Sequence, residues 1–307
     1  MPKVNLLNAQ AIGELVALVN QDHLSEAEDN ARTLLATHPN VGMLWKILGV
    51  ALVRQGKDAL QALRKTTELM ADDAEAHRNF GAALCQQGQW GPGLESFRRA
   101  LALAPLDADC LVEAADALRA LGRAGEAVPL YQRALQQDPQ LVEAQNNLGN
   151  AYLELAQPAD AAASYRRALR SRPDEAQILC NLGNAERLSG DLEQALAASR
   201  RAVSLEPSLS VAHNGLGLVL ASLGENDAAA ASFRQALTLN PSYGEALINL
   251  GNVLRETGQR REAVPLFEQA IRVDPARVEA HWHLGSVLFE LRRVHEAAAS
   301  YARALAL

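Results

Sequence analysis

The sequence predicts an all-α fold, a right-handed α-solenoid superhelix of about nine helix-turn-helix units. Three series of residues lead to this prediction, because each recurs every 34 residues. A single period shared by three series does not arise from composition, and a period of 34 is typical of stacked helical hairpins. The series are the prolines Pro105, Pro139, Pro173, Pro207, Pro241 and Pro275; the small residues Gly81, Ala115, Gly149, Gly183, Gly217, Gly251 and Gly285; and the alanines Ala100, Ala134, Ala168, Ala202, Ala236, Ala270 and Ala304.

The repeat makes the chain of 307 residues one predicted domain, residues 1–307. Stacked units share an elongated core, so this length does not require two domains. We number the positions of a unit so that Gly149 is at position 8, and we call its two helices A and B. The units then begin at Asn8, Gly42, Ala74, Ala108, Val142, Ala176, Ser210, Gly244 and Val278, and the last one is incomplete.

Each unit repeats one packing pattern. Helix A has apolar residues at positions 7 and 11 around a small residue at position 8, as in Leu148, Gly149 and Tyr152. Helix B has alanine at positions 20 and 27, and the proline at position 32 ends it. We expect the aromatic residue at position 24 to fill the space between successive hairpins. These aromatic residues are Phe97, Tyr131, Tyr165, Phe233, Phe267 and Tyr301.

The last helix, Val294 to Leu307, has no polar outer face. A solenoid whose final face is apolar is usually covered, since terminal repeats normally carry a polar outer face. We therefore expect either that the protein continues beyond Leu307 or that this end packs on a second copy as a homodimer.

Composition limits the partners and the location. The net charge is −7 and no run of lysine and arginine occurs, which argues against nucleic acid as a partner. No apolar run reaches the ~18 residues of a membrane span, and the N-terminus is an ordinary helix start. Cys85, Cys110 and Cys180 are isolated, which is typical of a reducing compartment. We expect a cytoplasmic protein without membrane contact.

The repeat resembles the tetratricopeptide repeat (TPR) from residue 8 to residue 307. Within that superfamily, two features resemble the TPR half of bacterial Spindly-type O-GlcNAc transferases: the string Asn146-Asn147-Leu148-Gly149-Asn150 in helix A, and Trp45–Val50 followed by Asp72–His77. The resemblance implies a superhelix that selects protein substrates through asparagines on its inner side. Nothing matches the catalytic half, so we expect no enzyme activity from this chain.

In the TPR fold the A helices line the concave side, and positions 2, 5, 6, 9, 12 and 13 face inward. Asparagine recurs at positions 6 and 9, and Asn214 lies at position 5. An asparagine amide offers two donors and an acceptor that match a peptide group, so a row of them can clamp an extended backbone. Alternatively, the same asparagines hold helix to helix. The candidate ligand-binding residues are Asn79, Asn147, Asn150, Asn181, Asn184, Asn214, Asn249, Asn252 and Trp282.

Other inward residues give local character to the surface. Asp109, Glu113 and Asp116 form an acidic stretch that either favours a basic segment or is simply solvated. Near the C-terminus, Trp282, His283 and Phe289 either anchor an apolar side chain or contact a part of the protein beyond Leu307. Two basic residues at position 5, Arg78 and Lys46, lack the asparagine at position 9 that a chaperone-tail carboxylate clamp requires.

No constellation for catalysis or for a cofactor is present in the sequence. His77, His213 and His281 recur at position 4, where we expect them to pack rather than to bind a metal. His281 and His283 are two residues apart on a helix and point in different directions. Cys85 and Cys180 are at inner positions accessible to thiol reagents, but neither has an adjacent base. We expect no cofactor and no metal.

The sequence therefore predicts a TPR scaffold that binds a protein or an extended peptide along its A helices. The resemblance adds that it is the substrate-recognition part of an O-GlcNAc-transferase-like protein. The alternative is a free-standing assembly scaffold, for example in pilus or secretion machinery, that uses its outer face or its ends.

Overall fold

The computed structural model describes residues 9–307, and these residues form eighteen α-helices and no strand. The all-α prediction is confirmed, and nine helix pairs match the predicted units. The helices are α1 (Ala9–Asn20), α2 (Leu24–Thr37), α3 (Gly42–Arg54), α4 (Leu60–Leu69), α5 (Ala74–Gln86), α6 (Trp90–Leu103), α7 (Ala108–Ala120), α8 (Ala124–Gln137), α9 (Val142–Glu154), α10 (Pro158–Ser171), α11 (Ala176–Ser189), α12 (Leu192–Leu205), α13 (Ser210–Ser222), α14 (Asn226–Leu239), α15 (Gly244–Glu256), α16 (Arg260–Val273), α17 (Val278–Glu290) and α18 (Val294–Ala306).

The A helices begin at the predicted residues. From α3 onward, every odd-numbered helix starts at the first position of a unit. The predicted start at Asn8 lies outside the described residues. None of the helices in residues 9–307 is long and apolar enough to cross a membrane.

The chain divides into two compact units, Met1–Ala151 and Tyr152–Leu307. We call these two halves of the chain the first and the second unit, and a single 34-residue repeat is called a hairpin from here on. In each unit helix A packs on its own helix B and on the next helix A, as α13 packs on α14 and α11 on α13. The first unit has a core around Leu15, Leu44 and Leu63, and the second has a core around Leu247 and Phe267.

Position 8 is small because the aromatic ring of helix B lies directly against it. A Cβ atom added to Gly217 would lie 2.6 Å from the Phe233 ring, and one added to Gly251 would lie 2.7 Å from the Phe267 ring. Phe267 also stacks on His283 of the following hairpin, with 5.6 Å between ring centroids. The aromatic residue therefore joins the two helices of its own hairpin and, at Phe267, fills the predicted space beside the next one.

Position 4 secures the turn between hairpins. The side chains of His77, His213 and His281 lie 2.9, 2.9 and 3.1 Å from the carbonyl oxygen six residues before each of them. Gln145 donates to Pro139 O and Trp45 to Pro39 O in the same way. The three histidines thus pack and hydrogen-bond within the fold, and no described group of His, Cys, Asp and Glu side chains has the geometry of a metal site.

Candidate ligand-binding surface of the A helices

The inward positions line a pocket in each of the two units. In the first unit, Asn79 lines a pocket of about 200 Å³ formed mainly by α3 and α5. In the second unit, α11, α13 and α15 form a pocket of about 230 Å³ that contains Asn181, Asn184 and Asn214. The side chains in both pockets come mostly from positions 2, 5, 6, 9, 12 and 13, which are the positions expected to face inward.

In the first unit, Asn147 holds one A helix to another. Its Nδ2 donates to Asp116 Oδ1 at 2.9 Å, and its Oδ1 accepts from Asn146 Nδ2 at 3.2 Å. The Tyr131 hydroxyl donates to the same oxygen of Asp116. Burial raises the pKa of Asp116, against the opposing effect of these donors. Asn147 therefore has a structural contact, and Asn150, three residues later, is half-buried.

In the second unit, three more of the predicted asparagines contact neighbouring helices. Asn249 Nδ2 donates to Asn214 Oδ1 at 3.0 Å, and Asn214 Nδ2 lies 3.5 Å from the Tyr243 hydroxyl. Asn252 Nδ2 lies 3.5 Å from His283 Nε2. The helix-to-helix interpretation thus describes Asn147, Asn214, Asn249 and Asn252. Asn181 and Asn184 line the pocket, and their role toward a ligand stays a prediction.

The acidic stretch of α7 has its own counter-charge. Arg78 Nε donates to Glu113 Oε2 at 3.1 Å, and Arg78 Nη1 lies 3.5 Å from Asp109. One hairpin earlier, Lys46 forms a similar ion pair with Asp73, with 2.8 Å between Lys46 Nζ and Asp73 Oδ2. Sequence reasoning missed these pairs because it considered each hairpin by itself, whereas position 5 reaches the N-terminal part of the next helix A. The acidic side chains are therefore paired within the fold.

Arg187 is a pocket residue that sequence reasoning also missed. Its Nη2 donates to Asn184 Oδ1 at 2.9 Å, while its buried Nε has no hydrogen-bond partner. Burial lowers the pKa of Arg187, and no carboxylate raises it. The sequence does contain a signal for this residue, because arginine recurs at position 12 in Arg119, Arg187 and Arg255. Arg119 and Arg255 each have an acidic neighbour.

Trp282 packs on the last helix, and its role toward a ligand stays a prediction. Its ring is 53% exposed and packs on Tyr301 of the last helix, with 5.0 Å between centroids. His283 lies apart from it, on the Phe267 ring, and burial lowers the pKa of His283. Phe289 is exposed in a cleft next to the turn that begins α16. The three residues therefore have different neighbours, and their role as an anchor for an apolar side chain stays a prediction.

The cysteines are poor nucleophiles in this structure. Burial raises the pKa of Cys180 to about 11 and that of Cys85 to about 11. Cys110 is fully buried, and burial raises its pKa to about 12. A thiol with such a pKa is almost wholly protonated at neutral pH and reacts slowly. The expected reaction of Cys85 and Cys180 with thiol reagents is therefore suppressed by their surroundings.

Comparison with known proteins gives a family and a fold. Residues 106–307 match the family model described as the TPR C-terminal domain of cilia and flagella-associated protein 70. A TPR protein from Parabacteroides merdae has a TM-score of 0.67 at 16% identity, over 76% of this chain and 92% of that one. A thermophilic TPR protein from Thermus thermophilus, TTC0263, has a TM-score of 0.52 at 29% identity, over 59% and 99%.

A chain of the APC/C hetero-tetramer Cut9–Hcn1 has a TM-score of 0.62 at 18% identity, over 93% of this chain and 56% of that one. None of the curated proteins compared with the chain matches it significantly. The solved structures agree with the TPR solenoid that the 34-residue period predicts.

Proposed function

Because the chain belongs to the TPR family described as the C-terminal domain of cilia and flagella-associated protein 70, we propose that it is a scaffold that binds a protein or an extended peptide. The ligand lies against the A helices of the second unit. No catalytic step is part of the proposal, since the described pocket has polar groups for binding and no activated nucleophile.

The pocket of α11, α13 and α15 carries this proposal. It combines amide groups of Asn181 and Asn184 with an apolar wall that includes Val211 and Leu218. Amides match peptide groups, and apolar walls accept side chains. Each hydrogen bond contributes a net ~0.5–1.5 kcal/mol, so several must act together along an extended ligand.

The test is peptide capture by purified protein on an array of random 12-residue peptides. We expect Asn181→Ala combined with Asn184→Ala to weaken capture about tenfold, since two hydrogen bonds are lost. Asn147 and Asn249 are unsuitable for this test because their loss breaks contacts between helices. Gln235→Ala, which removes an exposed amide on a B helix, is the matched control. Unchanged capture by the double variant argues for engagement elsewhere on the molecule.

A second candidate function uses the C-terminal end, as in an assembly scaffold. Leu305 is 83% exposed on α18, and Val294 and Trp282 are each about half exposed. An apolar surface of this kind is typical of an interaction site. We propose that it packs on a second copy, which light scattering across a concentration series tests. Leu305→Glu is expected to shift a dimer to monomer without unfolding it, and a wild-type monomer at all concentrations refutes the homodimer.

Two finer proposals concern the parent protein. The asparagine-rich helix A motivates the proposal that the scaffold selects substrates for a glycosyltransferase, as in the O-GlcNAc transferases it resembles. The reading frame beyond Leu307 tests it, because a glycosyltransferase domain there supports the link and a stop codon removes it. The free thiols of Cys85, Cys110 and Cys180 motivate the cytoplasm as location, which fractionation with a fluorescent fusion tests.

A further inference from the structure

Four repeat positions form one local site in three places of the chain. These positions are 9, 12 and 24 of one hairpin and position 6 of the next. The first site contains Asp116, Arg119, Tyr131 and Asn147; the second contains Asn184, Arg187, Ser199 and Gly215; the third contains Asn252, Arg255, Phe267 and His283. Because the backbone repeats, differences among the three sites come from their side chains.

Side chains of the protein itself fill the first and the third site. In the first, the Asp116 carboxylate accepts from the Tyr131 hydroxyl and from Asn147 Nδ2, and it lies 4.0 Å from Arg119. In the third, the His283 ring stacks on Phe267 next to Asn252. Arg255 of that site lies 4.0 Å from Glu290. Each position-12 arginine of these two sites therefore has a carboxylate nearby.

The second site is open and its arginine has no carboxylate. Gly215 contributes no side chain, and a Cβ atom added there would meet nothing within 4 Å. The residue that corresponds to Asp116 is Asn184, which accepts one hydrogen bond from Arg187. The buried Nε of Arg187 is left without a partner. What remains is the pocket of about 230 Å³ on the A helices of the second unit.

The acidic residues nearest in sequence or in the pocket are engaged elsewhere. Glu186 is buried, and its Oε1 accepts from Arg166 Nη2 at 2.8 Å while its Oε2 has no hydrogen-bond partner. Glu245 lines the pocket, but it lies 3.7 Å from Arg277 and next to the Tyr243 hydroxyl. A partly buried guanidinium without a counter-charge is costly, and a carboxylate satisfies it with two parallel hydrogen bonds.

We propose that this pocket binds the carboxylate side chain of an aspartate or glutamate residue within the bound peptide. The ligand carboxylate enters the space beside Gly215, with Arg187 and the Asn184 amide as donors, and it supplies the counter-charge that Asp116 supplies to Arg119 in the first site. This proposal rests on the proposed function, since the peptide backbone runs along the A helices while one side chain enters the pocket. Val211 and Leu218 then contact the methylene groups of that side chain.

The first experiment tests the pocket without any peptide. The Arg187 Nε–H resonance is followed by NMR during titration with N-acetylglutamate N-methylamide, with the glutamine analogue and with inorganic phosphate. We expect a saturable shift with the glutamate compound and none with the glutamine analogue. No shift, an equal shift with both, or a stronger response to phosphate overturns the carboxylate site.

Two variants keep this test specific. Asn184→Asp places a carboxylate where the first site has Asp116, and we expect it to weaken the response to the glutamate compound about tenfold or more, because Arg187 is then satisfied internally. Arg255→Gln, at the same repeat position in the third site, is expected to leave the response unchanged. A full response in Asn184→Asp contradicts the proposal.

The second experiment uses the peptide array with every acidic residue paired with its amide twin. On wild-type protein we expect captured peptides to prefer the acidic member about tenfold at one position, whether the C-terminus is free or amidated. Arg187→Gln is expected to lose the preference, because capture of the acidic member falls to the level of its amide twin. An Arg187 response to the glutamate compound without capture of any peptide refutes the proposed function alone, and capture without an acidic preference refutes this inference alone.

Discussion

The Asp116 site of the first unit and the Arg187 site of the second occupy the same repeat positions, 68 residues apart. The first is closed by its own carboxylate, tyrosine and asparagine. In the second, these three are replaced by asparagine, serine and glycine, while the arginine is kept. The difference teaches that a repeat fold can create a pocket through side chains alone, because smaller side chains at two positions remove volume and an amide at the third removes the charge.

The largest effect is expected from removing the carboxylate of the closed site. Asp116→Ala leaves the Tyr131 hydroxyl and the Asn147 amide without their acceptor, and each such loss costs about 1–3 kcal/mol. Asp116→Asn keeps an acceptor oxygen and removes the carboxyl group, whose pKa is raised by burial. This variant is therefore expected to be as stable as the wild type, or slightly more stable, at pH 7. Thermal unfolding followed by circular dichroism compares the two, and equal losses contradict this account of the site.

The sign of the pH effect separates the same two proteins. A carboxyl group whose pKa is raised by folding is destabilising when ionised, so the wild type gains stability relative to Asp116→Asn as the pH falls through the raised value. Urea midpoints of both proteins between pH 7 and pH 4 measure this. If the wild type instead loses stability relative to Asp116→Asn as the pH falls, the charge of Asp116 stabilises the folded state.

A smaller effect is expected from the arginines of the two units. Arg78→Gln leaves Glu113 and Asp109 without their cation, and we expect a loss of about 1–2 kcal/mol, since these groups are partly exposed. Arg187→Gln leaves no carboxylate unpaired and is expected to change stability by less than about 0.5 kcal/mol. Hydrogen exchange of α5 and α7 locates the first loss. Comparable losses in both variants would mean that a carboxylate pairs with Arg187 in the folded protein.

The sequence predicted the helices well because the repeat shows the same packing requirement many times. The small residue at position 8 and the ring at position 24 indicated a close helix pair, and Gly217 with Phe233 forms one. From Gly42 onward, the first residue of each hairpin in the same alignment is also the first residue of an A helix.

The candidate site was predicted less completely because its chemistry depends on pairs of residues in different hairpins. Asn147 and Asn249 look alike in sequence, yet one bonds Asp116 and the other Asn214. The acidic stretch of α7 looked free because Arg78, its counter-charge, belongs to the preceding hairpin. An arginine that no carboxylate pairs with, such as Arg187, can be recognised only when every described residue around it is known.

In the third site, we predict that the free energy of unfolding depends on pH through His283, by about 1 kcal/mol. Burial lowers the pKa of His283, so the folded state keeps the ring neutral while the unfolded chain takes up a proton below about pH 6.5. Stability contributed by the neutral ring is therefore complete above pH 6.5 and is lost as the pH falls below it, by at most about 1.4 kcal/mol for each pH unit. His283→Phe keeps the stack on Phe267 and cannot be protonated. Its urea midpoint should fall less between pH 7.5 and pH 5.5 than that of the wild type, and equal falls would assign the effect to other groups.

The smallest effect concerns the residue that opens the second site. Gly215 lies within α13, and an added methyl group meets nothing within 4 Å, so Gly215→Ala is expected to stabilise the helix by up to about 1 kcal/mol through propensity. Gly217→Ala, two residues along the same helix, adds its methyl group 2.6 Å from the Phe233 ring and is expected to destabilise. The two glycines thus differ in their surroundings, since Gly217 makes room for a ring of the fold and Gly215 faces open space. Thermal unfolding of both variants tests this difference, because a loss of stability in Gly215→Ala would mean that the space beside it is already filled, as it is beside Asn147.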